Sequence, residues 1–220
     1  MSESVNHPTR RYHAPRRAEQ AAATRRAVLA AARELFIERG YTATTVADIA
    51  ARADVAVDTV YATVGRKPVL LRELVETAIS GAEHAIPGPE RDYVTRIRAA
   101  RSAQDKITIY VDALVSIQQR LAPVFFALRD AAHRDPACAS LWTEISDRRA
   151  HNMRLFAADL RATGDLRDDL TDQQAADIIW SMNAAEYWVL LVHERGWTPQ
   201  AFGAWLTDAW TRLLLTPQQD

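Results

Sequence analysis

The sequence predicts an all-α fold, and three observations carry that prediction. There are only 7 glycines in 220 residues. Apolar residues recur at three- and four-residue spacing along most of the chain. No segment sustains the period-2 alternation of a half-buried strand. A hydrophobic content of 48% and a charged content of 25% match an ordinary globular chain long enough to bury a core.

The elements follow from this pattern in order. Residues 1–17, with Pro8 and Pro15, read as a disordered basic arm. A first helix spans Ala18 to Arg39, with Val28, Leu29, Ala32, Leu35 and Phe36 on one stripe and Gly40 as its stop. Thr45, with Asp48 three residues on, opens a second helix to Ala53 through a capping box. A third covers Ala56 to Thr63 and is broken by Gly65. Pro68 sits at a first helical position and starts a fourth helix, which carries Leu70, Leu71, Leu74, Val75, Ala78 and Ile79. Beyond the break at Ile86-Pro87-Gly88-Pro89, short connections separate predicted helices over 90–100, 102–120, 122–133, 136–163, 171–196 and 198–215.

Charge divides the chain unevenly. Residues 1–67 hold 11 Lys+Arg against 7 Asp+Glu, a net of +4, whereas residues 68–220 hold 16 against 21, a net of −5. All six tryptophans lie beyond residue 140. A basic front on an acidic, aromatic-rich back points to a polyanion as partner of the front, with a solubilising tail as the alternative. Cys138 is the only cysteine, so an intrachain disulfide or thiolate zinc cluster is excluded. There is no His-Glu-x-x-His, Gly-x-Ser-x-Gly or glycine-rich phosphate loop, so the expectation is a non-enzyme with no metal and no cofactor. No secretory apolar segment opens the chain, and no uninterrupted apolar run nears the roughly 18 residues of a membrane span. A cytoplasmic protein without a membrane partner is expected.

The segment from Thr45 to Thr63 reads as two short helices about a tight turn. Val46, Ile49 and Ala50 form the inner face of the first; Val55 and Val60 plug the corner. Such a pair projects its second helix outward, in a form that fits a DNA major groove. More widely, Thr24–Leu71 resembles the tetracycline-repressor (TetR) family of transcriptional regulators. The resemblance lies in Ala31-Ala-Arg-Glu-Leu-Phe36, Gly40-Tyr41, Thr44-Thr45-Val46-Ala47-Asp48-Ile49-Ala50, and Thr59-Val60-Tyr61 followed by Gly65-Arg66-Lys67. It implies a dimeric regulator with three N-terminal helices for DNA (18–67) and a helical C-terminal domain for ligand and dimerisation (68–220). The partners it implies are a palindromic double-stranded operator, a small-molecule effector and a second copy of the chain; repression is the expected mode. Two positions depart from the family pattern: Asp54 replaces the usual turn glycine, and Ala56 replaces the hydroxyl residue that opens the recognition helix.

Roles follow from chemistry and from the resemblance. Thr45, at a helix N-terminus, is placed to meet a phosphate. The resemblance puts Tyr61 and Lys67 on phosphates. Ala56, Val57, Asp58, Thr59, Ala62 and Thr63 complete the DNA-facing set, which has no Arg, Asn or Gln for bidentate purine readout. The arginines of the arm, Arg16 and Arg17 among them, are expected to add affinity from the minor groove. Polar residues within apolar stretches are the ligand candidates: Tyr110, Gln118, His151, Asn152, Asn183, Glu186 and Tyr187. Glu186 needs a cationic partner, with Arg148, Arg154 or a cationic ligand as candidates. Ile179, Met182, Trp205, Ala209, Trp210 and Leu213 are the expected dimer interface, against an intramolecular core as the alternative. A ligand- or protein-binding helical module with weak or lost DNA binding is the other functional reading.

Overall fold

A computed structural model describes residues 14–217. These form ten α-helices and no β-sheet: α1 (Ala14–Ala43), α2 (Val46–Arg52), α3 (Val57–Thr63), α4 (Lys67–Ser80), α5 (Asp92–Ala99), α6 (Ala103–Ala132), α7 (Pro136–Arg161), α8 (Asp172–Met182), α9 (Ala185–Trp188) and α10 (Pro199–Leu214). A π-helical turn, Val189–Glu194, continues α9. Helices α1 to α3 make the N-terminal domain, and α4 leads into the body.

Side-chain caps form at the starts of α2, α6, α8 and α10. Thr45 and Asp48 exchange capping-box bonds at α2, Thr171 and Gln174 do so at α8, and Ser102 and Thr198 accept from amides at α6 and α10. Gly40 interrupts α1 with φ 79° and ψ 163°, a conformation essentially reserved for glycine. One contiguous core runs through both parts of the molecule, from Val28, Phe36, Ile49 and Val60 to Leu128, Leu160 and Trp210. The central element is α6, packed on by α1, α4, α5, α7 and α10. Among the described residues it alone is long and apolar enough to cross a membrane, but it is the core helix of this bundle.

Three boundaries differ from the sequence prediction. Helix α1 begins at Ala14, so Arg16 and Arg17 lie in a helix rather than in a disordered arm. Pro15 suits this start, because its fixed φ is helical and a first-turn N–H has no intrahelical partner anyway. The arm over residues 1–13 lies outside the described residues. The two helices expected over 102–133 are one, with Pro123 inside. The buried stripe Ala122, Val124, Phe125, Ala127, Leu128 and Ala131 continues past the proline, and Arg33 donates to the Arg120 carbonyl (3.4 Å) just before it. Conversely, the single helix expected over 171–196 breaks at Asn183–Ala184. There Gln118 Nε2 donates to the Asn183 carbonyl (2.7 Å), and Asn183 Nδ2 lies 3.0 Å from both the Tyr110 hydroxyl and Met153 Sδ. Tertiary hydrogen bonds replace the helical ones.

Candidate nucleic-acid interface and effector cavity

The helix–turn–helix is built on a buried corner. Ile49 and Val60 are fully buried and Ala50 nearly so. The turn is closed by Asp54 at φ 54°, the only described non-glycine residue with positive φ. Asp is among the few residues that enter this region at modest cost. Thr44, also fully buried, donates to the carbonyls of Gly40 (2.9 Å) and Leu35 (3.2 Å) and fixes the entry to α2. Arg25 of α1 donates to the Thr63 carbonyl at the end of α3 (2.9 Å) and pairs with Glu73 of α4 (2.8 Å), tying three helices together.

This corner leaves one face of α3 in solvent. Ala56, Val57, Asp58, Tyr61 and Ala62 are exposed, while Thr59 and Thr63 are half-buried. Tyr61 is 48% exposed. Ala56 has the extended backbone of an N-cap but supplies no side-chain acceptor. The Thr45 hydroxyl is already engaged, donating to Asp48 Oδ2 (2.6 Å) and accepting from the Asp48 amide (3.1 Å). Hydrogen bonds from the Thr45 hydroxyl and the Thr45 amide hold the Asp48 carboxyl below the ordinary carboxylate range. Lys67 folds back onto Tyr41: its Nζ donates to the Tyr41 carbonyl (2.7 Å) and lies 4.2 Å from the ring centroid. Burial lowers the Lys67 pKa. Arg16 and Arg17 are exposed.

Arg66, which the sequence reading passed over, is exposed at the N-cap of α4 and makes no ion pair among the described residues. Its place beside Lys67 in the sequence was the available signal. Arg52, by contrast, is held by Glu38 and Glu34, and their hydrogen bonds raise its pKa.

Tyr41 also joins the two parts of the molecule. Its hydroxyl donates to Asp135 Oδ2 (2.9 Å), and Asp135 caps α7 through the Ala137 and Cys138 amides. Partial burial works to raise the Asp135 pKa, but these hydrogen bonds outweigh it and hold the carboxyl low. Cys138 is buried at this joint, where desolvation pushes its thiol up.

A cavity of about 190 Å³ lies within the body between α4, α5, α6, α7 and the α8–α9 break. Of the predicted ligand residues, Tyr110, Gln118, Asn152 and Asn183 line it. His151, Glu186 and Tyr187 do not. His151 is exposed on α7, Glu186 pairs with Arg129 (3.4 Å) rather than Arg148 or Arg154, and Tyr187 stacks on Trp205 (5.8 Å). Tyr110 stacks between Trp210 and Tyr93, and its burial keeps the hydroxyl well above the ordinary phenol range. The lining also includes Arg91, Arg98, Arg148 and Arg149, which the sequence reading did not assign to a ligand. Burial lowers the Arg149 pKa, and its guanidinium lies over the Trp180 ring at 4.5 Å.

Helix α4 connects cavity and reader. Ile79 near its end lines the cavity. Glu76 pairs with Arg148 of the lining (2.6 Å), and Arg72 makes a two-pronged pair with Glu144 of α7 (2.7 Å each). Glu73 holds Arg25, and Lys67 holds Tyr41. The 14 residues of α4 therefore carry contacts to both over about 20 Å.

The expected dimer residues divide. Ile179 and Trp210 are fully buried and Met182 nearly so, all within the subunit, so they are core residues and not interface. Trp205 and Ala209 are half-buried, and Leu213 is 42% exposed.

These features define an all-helical protein with an N-terminal helix–turn–helix domain and a cavity-bearing helical body. Residues 28–74 match the family model described as "Bacterial regulatory proteins, tetR family". The match covers the helix–turn–helix segment, and the whole chain has the fold seen in solved transcriptional regulators. No curated protein matches the sequence. Three similar solved structures cover the molecule nearly end to end. A putative transcriptional regulator from Saccharomonospora viridis in complex with choline has a TM-score of 0.66 at 17% identity, covering 88% of this chain and 98% of its own. NalD, the secondary repressor of the MexAB-OprM multidrug efflux pump in Pseudomonas aeruginosa, has a TM-score of 0.63 at 21% identity, covering 91% and 100%. A SmeT–triclosan complex has a TM-score of 0.64 at 19% identity, covering 88% and 92%.

Proposed function

We propose that this chain is a cytoplasmic, sequence-specific DNA-binding repressor of transcription. It acts as a homodimer on a palindromic operator and is released by a small molecule in the cavity. The observation that carries this reading is the exposed face of α3, braced by Arg25 and connected through α4 to the cavity wall at Ile79 and Arg148. Val57, Ala56 and Ala62 meet base edges and thymine methyls, Asp58 accepts from cytosine N4, and Tyr61 and Arg66 meet phosphates. Lys67 reaches a phosphate only by leaving Tyr41, so DNA binding loosens the joint at that residue. The effector acts through differential affinity for two settings of α4. Similar structures hold choline and triclosan, in keeping with a body built to receive small molecules.

The second subunit packs on the half-exposed stripe Trp205, Ala209 and Leu213, continued by Tyr187, Leu190 and Trp197. An exposed apolar patch of this kind is a normal signature of an interface. Light scattering of the full chain, with Trp205→Glu as the disrupting variant, distinguishes dimer from monomer.

Ala56 without a cap, a purine-blind recognition face and a tethered Lys67 favour the other reading, a binding module whose DNA activity has decayed. A gel shift against the DNA upstream of its own gene, followed by genome-wide site selection, separates the two. Salt-sensitive specific binding supports the repressor; its absence from every site supports the module. Removal of residues 1–17 tests the arm. Unchanged operator affinity and salt slope reject a minor-groove role for its arginines.

A further inference from the structure

Two residues that line the cavity, Gln118 and Asn183, each carry a buried acceptor. Gln118 donates its amide nitrogen to the Asn183 carbonyl, which can only accept, so Gln118 Oε1 is the free atom. Asn183 directs its amide nitrogen to Met153 Sδ and the Tyr110 hydroxyl, which leaves Asn183 Oδ1 free. Both residues are only 3% exposed, both line the cavity, and both oxygens lack a hydrogen-bond partner among the described residues. A buried unpartnered acceptor is rare in folded proteins and points to a donor that arrives with a ligand.

The lining also carries positive charge. The lining holds four arginines, Arg91, Arg98, Arg148 and Arg149, and one carboxylate, Asp159, within a region whose net charge is −5. Glu76 neutralises Arg148, but Arg149 has no carboxylate partner among the described residues, and its buried Nε is also unpartnered. Aromatic rings complete the lining, with Tyr110 in contact with both Tyr93 and Phe156. A cavity of roughly 150 Å³ holds benzene. About 190 Å³ therefore admits one ring with two small substituents.

We propose, on the reading of this cavity as the effector site, that its ligand is a single-ring aromatic acid carrying a hydroxyl or amino donor. The donor meets Gln118 Oε1 and Asn183 Oδ1, the ring packs on Tyr110 and Phe156, and the carboxylate meets Arg149. The acid end supplies the charge that the arginine excess lacks, and the donor end satisfies the two acceptors that an apolar ligand would leave orphaned.

Isothermal titration calorimetry on the full-length chain tests this with 3- and 4-hydroxybenzoate and 4-aminobenzoate as probes. Benzoate lacks the donor and 4-hydroxybenzyl alcohol lacks the acid. At least one probe should bind about tenfold or more tightly than either truncated analogue, since each lost polar contact leaves a buried group unpaired. Arg149→Met, checked for an unchanged melt, should bring that probe down to the level of the alcohol without altering the alcohol itself. Equal binding of probe and analogues, or no binding by any probe at millimolar concentration, overturns the proposal; the analogue series on the unmodified chain decides this even if the variant misfolds. A gel shift run alongside separates the underlying reading. Binding that leaves DNA affinity unchanged supports the ligand class and counts against its effector role. No binding, with salt-sensitive DNA recognition intact, overturns the ligand class alone.

Discussion

Ala56→Ser should stabilise the molecule. Ala56 sits at φ −69° and ψ 151°, nearly superimposable on Thr198 (φ −72°, ψ 152°) and Thr171 (φ −72°, ψ 157°). At both of those residues the hydroxyl accepts from the amide three residues on, at 3.1 and 3.2 Å. A serine hydroxyl at position 56 therefore falls in reach of the Thr59 amide without any backbone change. Restoring a missing N-cap is worth about 1 kcal/mol. In a chain of this size that raises Tm by roughly 2–4 °C. Thermal unfolding followed by circular dichroism reads it, with Thr45→Ala as the reverse experiment, expected to lose about as much. If Thr45→Ala destabilises while Ala56→Ser leaves Tm unchanged, the backbone equivalence does not govern capping here and the reasoning is refuted.

Other substitutions probe the turn and the joint. Gly40→Ala should cost about 1–3 kcal/mol through backbone strain alone, because nothing lies within 4 Å of the added Cβ; a urea midpoint equal to the unmodified chain's would contradict it. Asp54→Val, forcing a β-branched residue to φ 54°, should cost about 1–2 kcal/mol, readable in the same titration. Tyr41→Phe removes a hydrogen bond to an ionised carboxylate and should cost about 1.5 kcal/mol at pH 7. Asp135 is held low in the folded state, so its contribution is complete above the unfolded carboxyl value, near pH 4, and fades as pH falls below it. The stability gap between Tyr41→Phe and the unmodified chain should close over that acid range; a gap independent of pH would count against the Tyr41–Asp135 bond.

Much of the fold could be read from local chemistry, since Thr45 with Asp48 and Thr171 with Gln174 announce helix starts that tertiary structure leaves in place. Two boundaries could not be read, because distant residues decide them. Nothing in Asn183-Ala184 breaks a helix by propensity; Gln118, 65 residues away, supplies the bond that allows the break. Pro123 does signal a break, but the buried stripe on both sides and Arg33 override it. The exposed face of α3 was legible as a pattern, because a short helix with one buried valine, Val60, has only one face to offer. The cavity was half legible. Tyr110, Gln118 and Asn183 stand out as polar residues in apolar stretches, whereas Arg148 and Arg149 look like part of a solvated helix face until Glu76 of α4 pairs with the first and Trp180 of α8 covers the second. Ile179, Met182 and Trp210 illustrate the converse limit, since an apolar side chain does not state whether its own subunit or another covers it.

The central claim is that α3 reads DNA as one of a pair. Fluorescence anisotropy of the full chain on the DNA upstream of its gene, titrated across salt concentrations, tests it most directly. The account predicts specific binding to two half-sites about 34–36 Å apart, with affinity falling steeply as salt rises, and marked weakening by Tyr61→Ala. Binding no tighter than to random duplex, at low salt and unaffected by Tyr61→Ala, would contradict it.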